Sequence, residues 1–365
     1  MKWENKLKEN ICSIEELKKH IKLTKNEEKK LQRVTEIYPI NITKYYLSLI
    51  NKNDKKDPLR KLIVPSEKEL DISGIYDTRD EKENTKVAGL QHTYKQTALI
   101  LSTNWCSAYC RFCFRKQFLT FPKKEIAWEF NDGIEYIKSH KEINNVLVSG
   151  GDPLILPTEI IENFLKKLSA VKHLNFIRFG SRIPVVFPDR ILDDKSFLEL
   201  LKKFSLKEKK IYIVVHFNHP REITQKSIAA VDKIIKSNVI VKNQTVLLKG
   251  INDNPDTLAE LLNKLVGIGI NPYYIFQCRP VKGAKEYFQV PLYRGYRIVE
   301  NAKKKLDGLS KGFKYIMSHK TGKIEIVGVM GNEIYFKYHQ AKESKNIGKF
   351  FKKKINKKAK WLDDL

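Results

Sequence analysis

Six short apolar runs alternating with helical patterns constrain this chain more than any other feature. The runs are TALILST (97–103), NVLVSG (145–150), NFIRFG (175–180), IYIVVHF (211–217), VIVKNQTVLL (239–248) and PYYIFQ (272–277). Between them, apolar residues recur at helical spacing over 129–140, 157–170, 195–204, 222–237 and 254–267. The last of these has Asp253 or Asn254 as its N-cap and Pro255 at its first helical position. Such alternation predicts parallel strands with right-handed crossovers. A full eight-unit barrel takes about 250 residues, more than this stretch supplies, so the expected fold is α/β: a partial (β/α)6 barrel of TIM type.

Helical extensions are expected on both sides of it. Residues 1–90 read as a helical N-terminal region plus a turn-rich connector, 91–300 as the barrel, and 301–365 as a C-terminal segment ending in a basic tail. Ser13 followed by Glu16 is a capping-box pattern. The lysine-rich block from Lys342 to Lys360 predicts a solvated amphipathic helix, with attraction of an acidic partner as its functional alternative. The formal charge of +27 invites a nucleic-acid reading, yet only 12 of the 69 basic residues are Arg and the lysines are spread evenly. Phosphate and base recognition leans on arginine with interleaved aromatics, so nucleic acid is not the expected partner.

Chemistry in such barrels gathers at the C-terminal ends of the strands. There the sequence places CSAYCRFC after the first run, Ser149 to Pro153 after the second and Gly180-Ser181-Arg182 after the third. His216 to Pro220 end the fourth run, Asn243 and Gln244 lie in the fifth, and Gln277-Cys278-Arg279 end the sixth. The C-x3-C-x2-C spacing offers the thiolates of Cys106, Cys110 and Cys113. A four-iron, four-sulfur cluster is usually held by four cysteines, so one iron would stay open, and open coordination marks catalytic sites. Trp105, Tyr109, Phe112 and Phe114 would shield such a cluster. A zinc site completed by a histidine, or buried thiols that bind nothing, are the alternatives.

Five cysteines, three of them in one motif, make no disulfide framework; Cys12 and Cys278 stand alone. A cluster needs a reducing compartment. The N-terminus has no apolar signal region, and no run approaches the ~18 apolar residues of a membrane span. A soluble cytoplasmic protein without a membrane partner is expected.

The strings CSAYCRFCFRK, LVSGGDPL, RIPVVFPDRI, HFNHPREIT, KNQTVLLKGIND and NPYYIFQC, in this order, resemble the lysine 2,3-aminomutase family of radical S-adenosylmethionine enzymes. The resemblance runs from about residue 57 to about residue 328. It implies that Cys106, Cys110 and Cys113 ligate a [4Fe-4S] cluster whose open iron takes S-adenosylmethionine. Gly150, Gly151 and Asp152 would hold the methionine amino group, and His216 and Gln244 would line the same pocket. A glycine pair would let backbone come close to a ligand. Arg115 would bind the substrate carboxylate, for which a planar guanidinium is suited. Lys323, in HKTGK, falls where the family forms an imine with pyridoxal 5'-phosphate, and Tyr94 matches a cofactor-contacting tyrosine. Gly322 before that lysine would allow close approach of the cofactor.

The chain departs from the family in informative places. Arg279 stands where a lysine-specific enzyme has a carboxylate, so a cation faces the distal end of the substrate and favours an anion. Thr93 and Thr97 replace arginines that engage the cofactor phosphate, with Lys95 or backbone amides as local substitutes. The expected activity is an isomerase moving an amino group between C2 and C3 of a small amino acid through a 5'-deoxyadenosyl radical. A flavodoxin or ferredoxin would donate the electron, and the resemblance implies a homo-oligomer. Two other readings are a radical enzyme of this family acting on a peptide or nucleic acid without pyridoxal phosphate, and a non-catalytic iron-sulfur protein.

Overall fold

The computed structural model describes residues 2–117 and 130–365. Twelve strands form one sheet in chain order. They are β1 (Thr85–Val87), β2 (Leu90–Tyr94), β3 (Thr97–Thr103), β4 (Asn145–Gly150), β5 (Phe176–Gly180), β6 (Lys210–Val215), β7 (Ile240–Leu247), β8 (Asn271–Gln277), β9 (Lys314–His319), β10 (Gly322–Met330), β11 (Glu333–Ala341) and β12 (Phe350–Lys354). Neighbours from β3 to β9 pair in parallel, and the flanking strands pair antiparallel. All six expected strands are present. A seventh parallel strand, β9, joins them, from a segment that the sequence reading assigned to the C-terminal extension.

The five expected helices are found at Asn131–Ser139, Thr158–Ser169, Lys195–Phe204, Gln225–Lys236 and Pro255–Gly267; Glu129, the first residue of the first pattern, lies outside the described residues. Asn254 caps the last of them by accepting from the backbone N–H groups of Asp256 and Thr257. That helix buries Leu258, Leu261, Leu262 and Leu265, one stripe at helical spacing, each contributing roughly 1.5–3 kcal/mol of burial. Strands supply the opposite face by alternation: in β5, Ile177 and Phe179 are buried in the core while Arg178 and Gly180 line a central cavity.

The N-terminal region is helical, as expected, over Trp3–Leu7, Ile14–Lys18, Lys25–Ile37, Lys44–Leu49 and Pro58–Ile63. Ser13 accepts from the Glu16 N–H, but Glu16 accepts from Cys12 rather than from Ser13, so half of the capping box forms. The C-terminal extension corrects its expectation. After a helix at Leu292–Lys303, the chain runs as β9 to β12, and the lysine-rich tail is not an amphipathic helix. Period-two packing wins there: Phe351 stacks on Phe336 at 5.2 Å while its neighbours in β12 face solvent, and the turn before the strand contains Gly348 at φ 82°.

Candidate active site

One cavity of about 280 Å³ opens among the strand ends. The residues to which the resemblance gave a cluster, cofactor or substrate role line it: the three motif cysteines, Gly150, Gly151, Asp152, His216, Gln244, Tyr94, Arg115, Arg279 and Lys323.

The cysteine loop is held from outside the barrel. Asn41, from the N-terminal region, donates to the Cys106 carbonyl at 2.9 Å and accepts through its own carbonyl from the Tyr109 N–H at 2.9 Å. Asn10 donates to the Ser107 carbonyl at 2.8 Å. Arg111, inside the motif, donates to both oxygens of the fully buried Glu69 and to the Pro39 carbonyl, while Lys116 donates to the same Glu69 at 2.5 Å. Burial opposes the Glu69 charge, but the two cations prevail and hold its carboxyl below the ordinary range.

The glycine pair serves the loop as well. Gly151 N–H donates to the Thr103 carbonyl at 2.6 Å and Asp152 N–H to the Trp105 carbonyl at 2.8 Å. A Cβ at Gly150 would run into the Thr103 carbonyl and one at Gly151 into the Trp105 carbonyl. The backbone that comes close is therefore the cysteine loop itself. Gly322 repeats the lesson, since its Cβ would meet the Gln340 carbonyl of β11. Asp152 turns its carboxylate toward the next strand end, accepting from Ser181 Oγ at 2.7 Å and from the Arg182 N–H at 2.6 Å. Burial pushes this carboxyl up to about 6.

Burial raises all three motif thiols above their ordinary values, Cys113 to about 11, a bias that metal binding reverses by displacing the protons. Among the described residues no three His, Cys, Asp or Glu side chains converge tightly enough for a single metal ion. A multi-iron cluster asks instead for thiolates that reach separate irons, and the donor set on this loop fits one. His216 offers a second sign of a ligand. Its Nε2 is buried with no hydrogen-bond partner among the described residues, while its ring meets Phe112 edge-on at 5.5 Å. Burial, then the nearby Arg182, drives its pKa down to about 3, so the ring is a neutral donor or acceptor facing the cavity.

Around Lys323 the cavity is equally unsatisfied. Its Nζ lies 4.9 Å from the Tyr274 ring centroid and 5.7 Å from that of Tyr94. Burial, with Arg178, Arg79 and Arg279 adding repulsion, holds its ammonium well below the ordinary lysine range, a shift in the direction of the nucleophilic free amine. Arg178 Nε, Gln91 Oε1 and Gln340 Oε1 are buried without partners among the described residues. The Lys323 amine and Arg178 fit a polar cofactor bearing an aldehyde and an anion, and the two amide oxygens offer acceptors to its donor groups. Lys95, one expected substitute for the missing phosphate arginines, is exposed on a turn and does not line the cavity; Arg178 does.

Arg115 donates to Glu81 at 2.9 Å. Arg279 donates to Thr78 Oγ1 at 3.2 Å and Ser318 Oγ at 2.6 Å and lies 4.4 Å from the centroid of Phe114. It faces the cavity. Burial and Arg79 push the Arg279 guanidinium down to about 9. Five of the 12 arginines line this cavity and, of the lysines, only Lys323 does so among the described residues. Arg79 and Arg178 escaped the sequence reading, which placed Arg182 at the third strand end without giving it a role. Only their being arginines in a lysine-dominated chain could have flagged them.

The Radical SAM superfamily model matches residues 100–262. A provisionally named L-lysine 2,3-aminomutase of Aquifex aeolicus is 44% identical over 343 residues, covering 94% of this chain and 91% of the relative. The L-lysine 2,3-aminomutase of Clostridium subterminale is 39% identical, covering 82% and 71%. The glutamate 2,3-aminomutase of Clostridioides difficile is 36% identical, covering 82% and 69%.

Proposed function

Because the chain belongs to the lysine 2,3-aminomutase family of radical S-adenosylmethionine enzymes, an isomerase family, we propose that it moves an amino group between C2 and C3 of an acidic amino acid, such as glutamate or aspartate. The observation that carries this reading is the single cavity lined at once by the motif thiols, the unsatisfied His216 and Lys323 beside the Tyr94 and Tyr274 rings. When bound, the cluster with S-adenosylmethionine supplies a one-electron cleavage that yields the 5'-deoxyadenosyl radical, and pyridoxal phosphate supplies the π system across which the amino group moves.

The protein's part is holding and orientation. Cys106, Cys110 and Cys113 would hold the cluster, and Gly150, Gly151, Asp152, His216 and Gln244 would bound the S-adenosylmethionine site. Asp152, which lines the cavity, also fixes the next strand end by accepting from the Ser181 hydroxyl and the Arg182 backbone N–H. Lys323 would carry the pyridoxal group between Tyr94 and Tyr274, with Arg178 meeting its phosphate in place of the arginines absent at 93 and 97. Arg115 would take the substrate α-carboxylate, sharing its guanidinium with Glu81.

Charge selects the substrate. Glu222 matches Arg182 and Glu81 matches Arg115, and Asp152 is the single carboxylate among the described lining residues. Arg79, Arg178 and Arg279 remain, enough for a cofactor phosphate and a substrate side-chain carboxylate. A lysine ammonium brought to Arg279 would meet repulsion in a partly desolvated site. The electron would come from a small reductant of the flavodoxin or ferredoxin kind, in a reducing compartment such as the cytoplasm, and the enzyme would work as a homo-oligomer. No helix of the described residues is long and apolar enough to cross a membrane.

The deciding experiment is anaerobic reconstitution with iron, sulfide, S-adenosylmethionine, dithionite and pyridoxal phosphate, followed by a screen of amino acids for β-amino products. Formation of β-glutamate or a 3-amino isomer of another acid supports the reading. S-adenosylmethionine cleavage with no β-amino product from any amino acid overturns it in favour of a different substrate.

A further inference from the structure

We propose that Arg182 and Glu222 form a buried charge pair that sets the reduction potential of the cluster, acting through a hydrogen bond from Arg182 to Cys110. The inference rests on the reading that the motif cysteines hold a cluster, and goes beyond it by assigning a tuning role to two residues that touch neither substrate nor S-adenosylmethionine in that reading.

Arg182 Nη1 lies 2.9 Å from Cys110 Sγ. The guanidinium cannot easily turn away. Its Nε donates to the His216 carbonyl at 3.3 Å, and its Nη2 donates to Glu222 and to Tyr46 Oη. Its backbone N–H is held by Asp152 at 2.6 Å. Glu222 is fixed in turn: it accepts from Tyr46 Oη at 2.5 Å and from the N–H groups of Asn218 and His219 at 2.6 and 3.1 Å. Arg182, Glu222 and Tyr46 are all buried. The result is a continuous line of polar contacts from a motif sulfur to a carboxylate anchored in the loop after β6.

Reducing the cluster adds one electron, taken from an external one-electron reductant, and therefore one negative charge beside Cys110. Hydrogen bonds to cluster sulfurs and nearby charge are among the determinants of such potentials. A charge-assisted donor is roughly twice as strong as a neutral one, and it stabilises the more negative, reduced state most. Arg182 thus raises the potential. Glu222, with the opposite charge behind it, restrains that rise. The two residues act with opposite signs on one measurable quantity, which a merely structural pair would not do.

The test is a redox titration of the reconstituted full-length chain, followed by the paramagnetic signal of the reduced cluster, for wild type, Arg182→Gln, Arg182→Lys and Glu222→Gln. Iron and sulfide content is measured first. A wild type that binds no cluster overturns the underlying reading, separately from this inference. With clusters of equal content, Arg182→Gln should lower the potential by about 59 mV, a tenfold loss in the one-electron reduction equilibrium. Arg182→Lys should lie between it and wild type, and Glu222→Gln should move upward. If Arg182→Gln fails to load, the Lys and Glu222→Gln variants carry the test. Unchanged potentials, or shifts of the same sign in the arginine and glutamate variants, would overturn the inference.

Discussion

Arg111 and Glu69 stand 42 residues apart in sequence and meet inside the protein, with Arg111 Nε at 3.0 Å from both carboxylate oxygens and Nη2 at 2.7 Å from one. Because Arg111 lies between Cys110 and Cys113, the loop is anchored to the connector that precedes the barrel. Removing one partner of a buried ion pair is costly, since it strands the other. Glu69→Gln should therefore destabilise the chain by about 3–5 kcal/mol in denaturant unfolding and reduce cluster loading. An unchanged unfolding midpoint with full iron content would show that the anchor is dispensable.

Gly151→Ala tests the seam between β4 and the loop. The new methyl would strike the Trp105 carbonyl, and overpacking of this kind costs about 1–3 kcal/mol. Cluster incorporation should fall well below wild type while the fold, by circular dichroism, is retained. Normal iron uptake would remove the glycine from the argument.

Each motif cysteine should be individually required. Cys106→Ala, Cys110→Ala and Cys113→Ala should lose the four-iron absorption and all S-adenosylmethionine cleavage, whereas Cys12→Ala and Cys278→Ala should keep the cluster. A Cys110→Ala protein with an intact cluster spectrum would contradict the assignment.

Lys323 carries a prediction about pH. An ordinary lysine is protonated below 10.5, but burial and three arginines favour the neutral amine here. As pH falls from 10 toward neutrality, borohydride-trapped pyridoxyl label should persist on Lys323 while it drops steeply at surface lysines. Peptide mapping reads this directly, and Lys323→Ala should abolish the neutral-pH label while leaving S-adenosylmethionine cleavage largely intact. Label spread over many lysines with the ordinary titration would argue against the cofactor site.

Arg279→Asp probes substrate choice. Wild type should turn over glutamate or aspartate in preference to lysine, and the variant should lose that preference by ten-fold or more, because a carboxylate would then face the substrate anion. Turnover of lysine alone by the wild type would refute a role for Arg279 in reading an anion.

Local signals made much of this molecule legible. Strand and helix periods depend on neighbouring residues, so all six strands and five helices could be placed, and the cysteine spacing marked the site. Contacts between distant segments had no such signature. Glu69 was one charged residue among many in a connector, and Arg178 sat in a strand with nothing local to mark it as a cavity group, while Arg182 was legible by its strand-end place but not by its partners Cys110 and Glu222. The glycines were legible, but not the protein backbone that also comes close to them, since sequence does not say which distant segment packs there. In the tail, abundant lysine suits a solvated helix and an exposed strand equally well, and only Phe351 packing on Phe336 decides between them.

The end of the sheet has its own consequence. β12 is the last strand in the described order and carries Lys352, Lys353 and Lys354 in succession. An open strand edge is a template on which another chain can grow. A second copy docking there would bring ammonium groups together, with Lys352 alone of the three held by an ion pair, to Glu333, among the described residues. Like charge along this edge thus opposes growth of the sheet there, an effect that weakens as salt screens it.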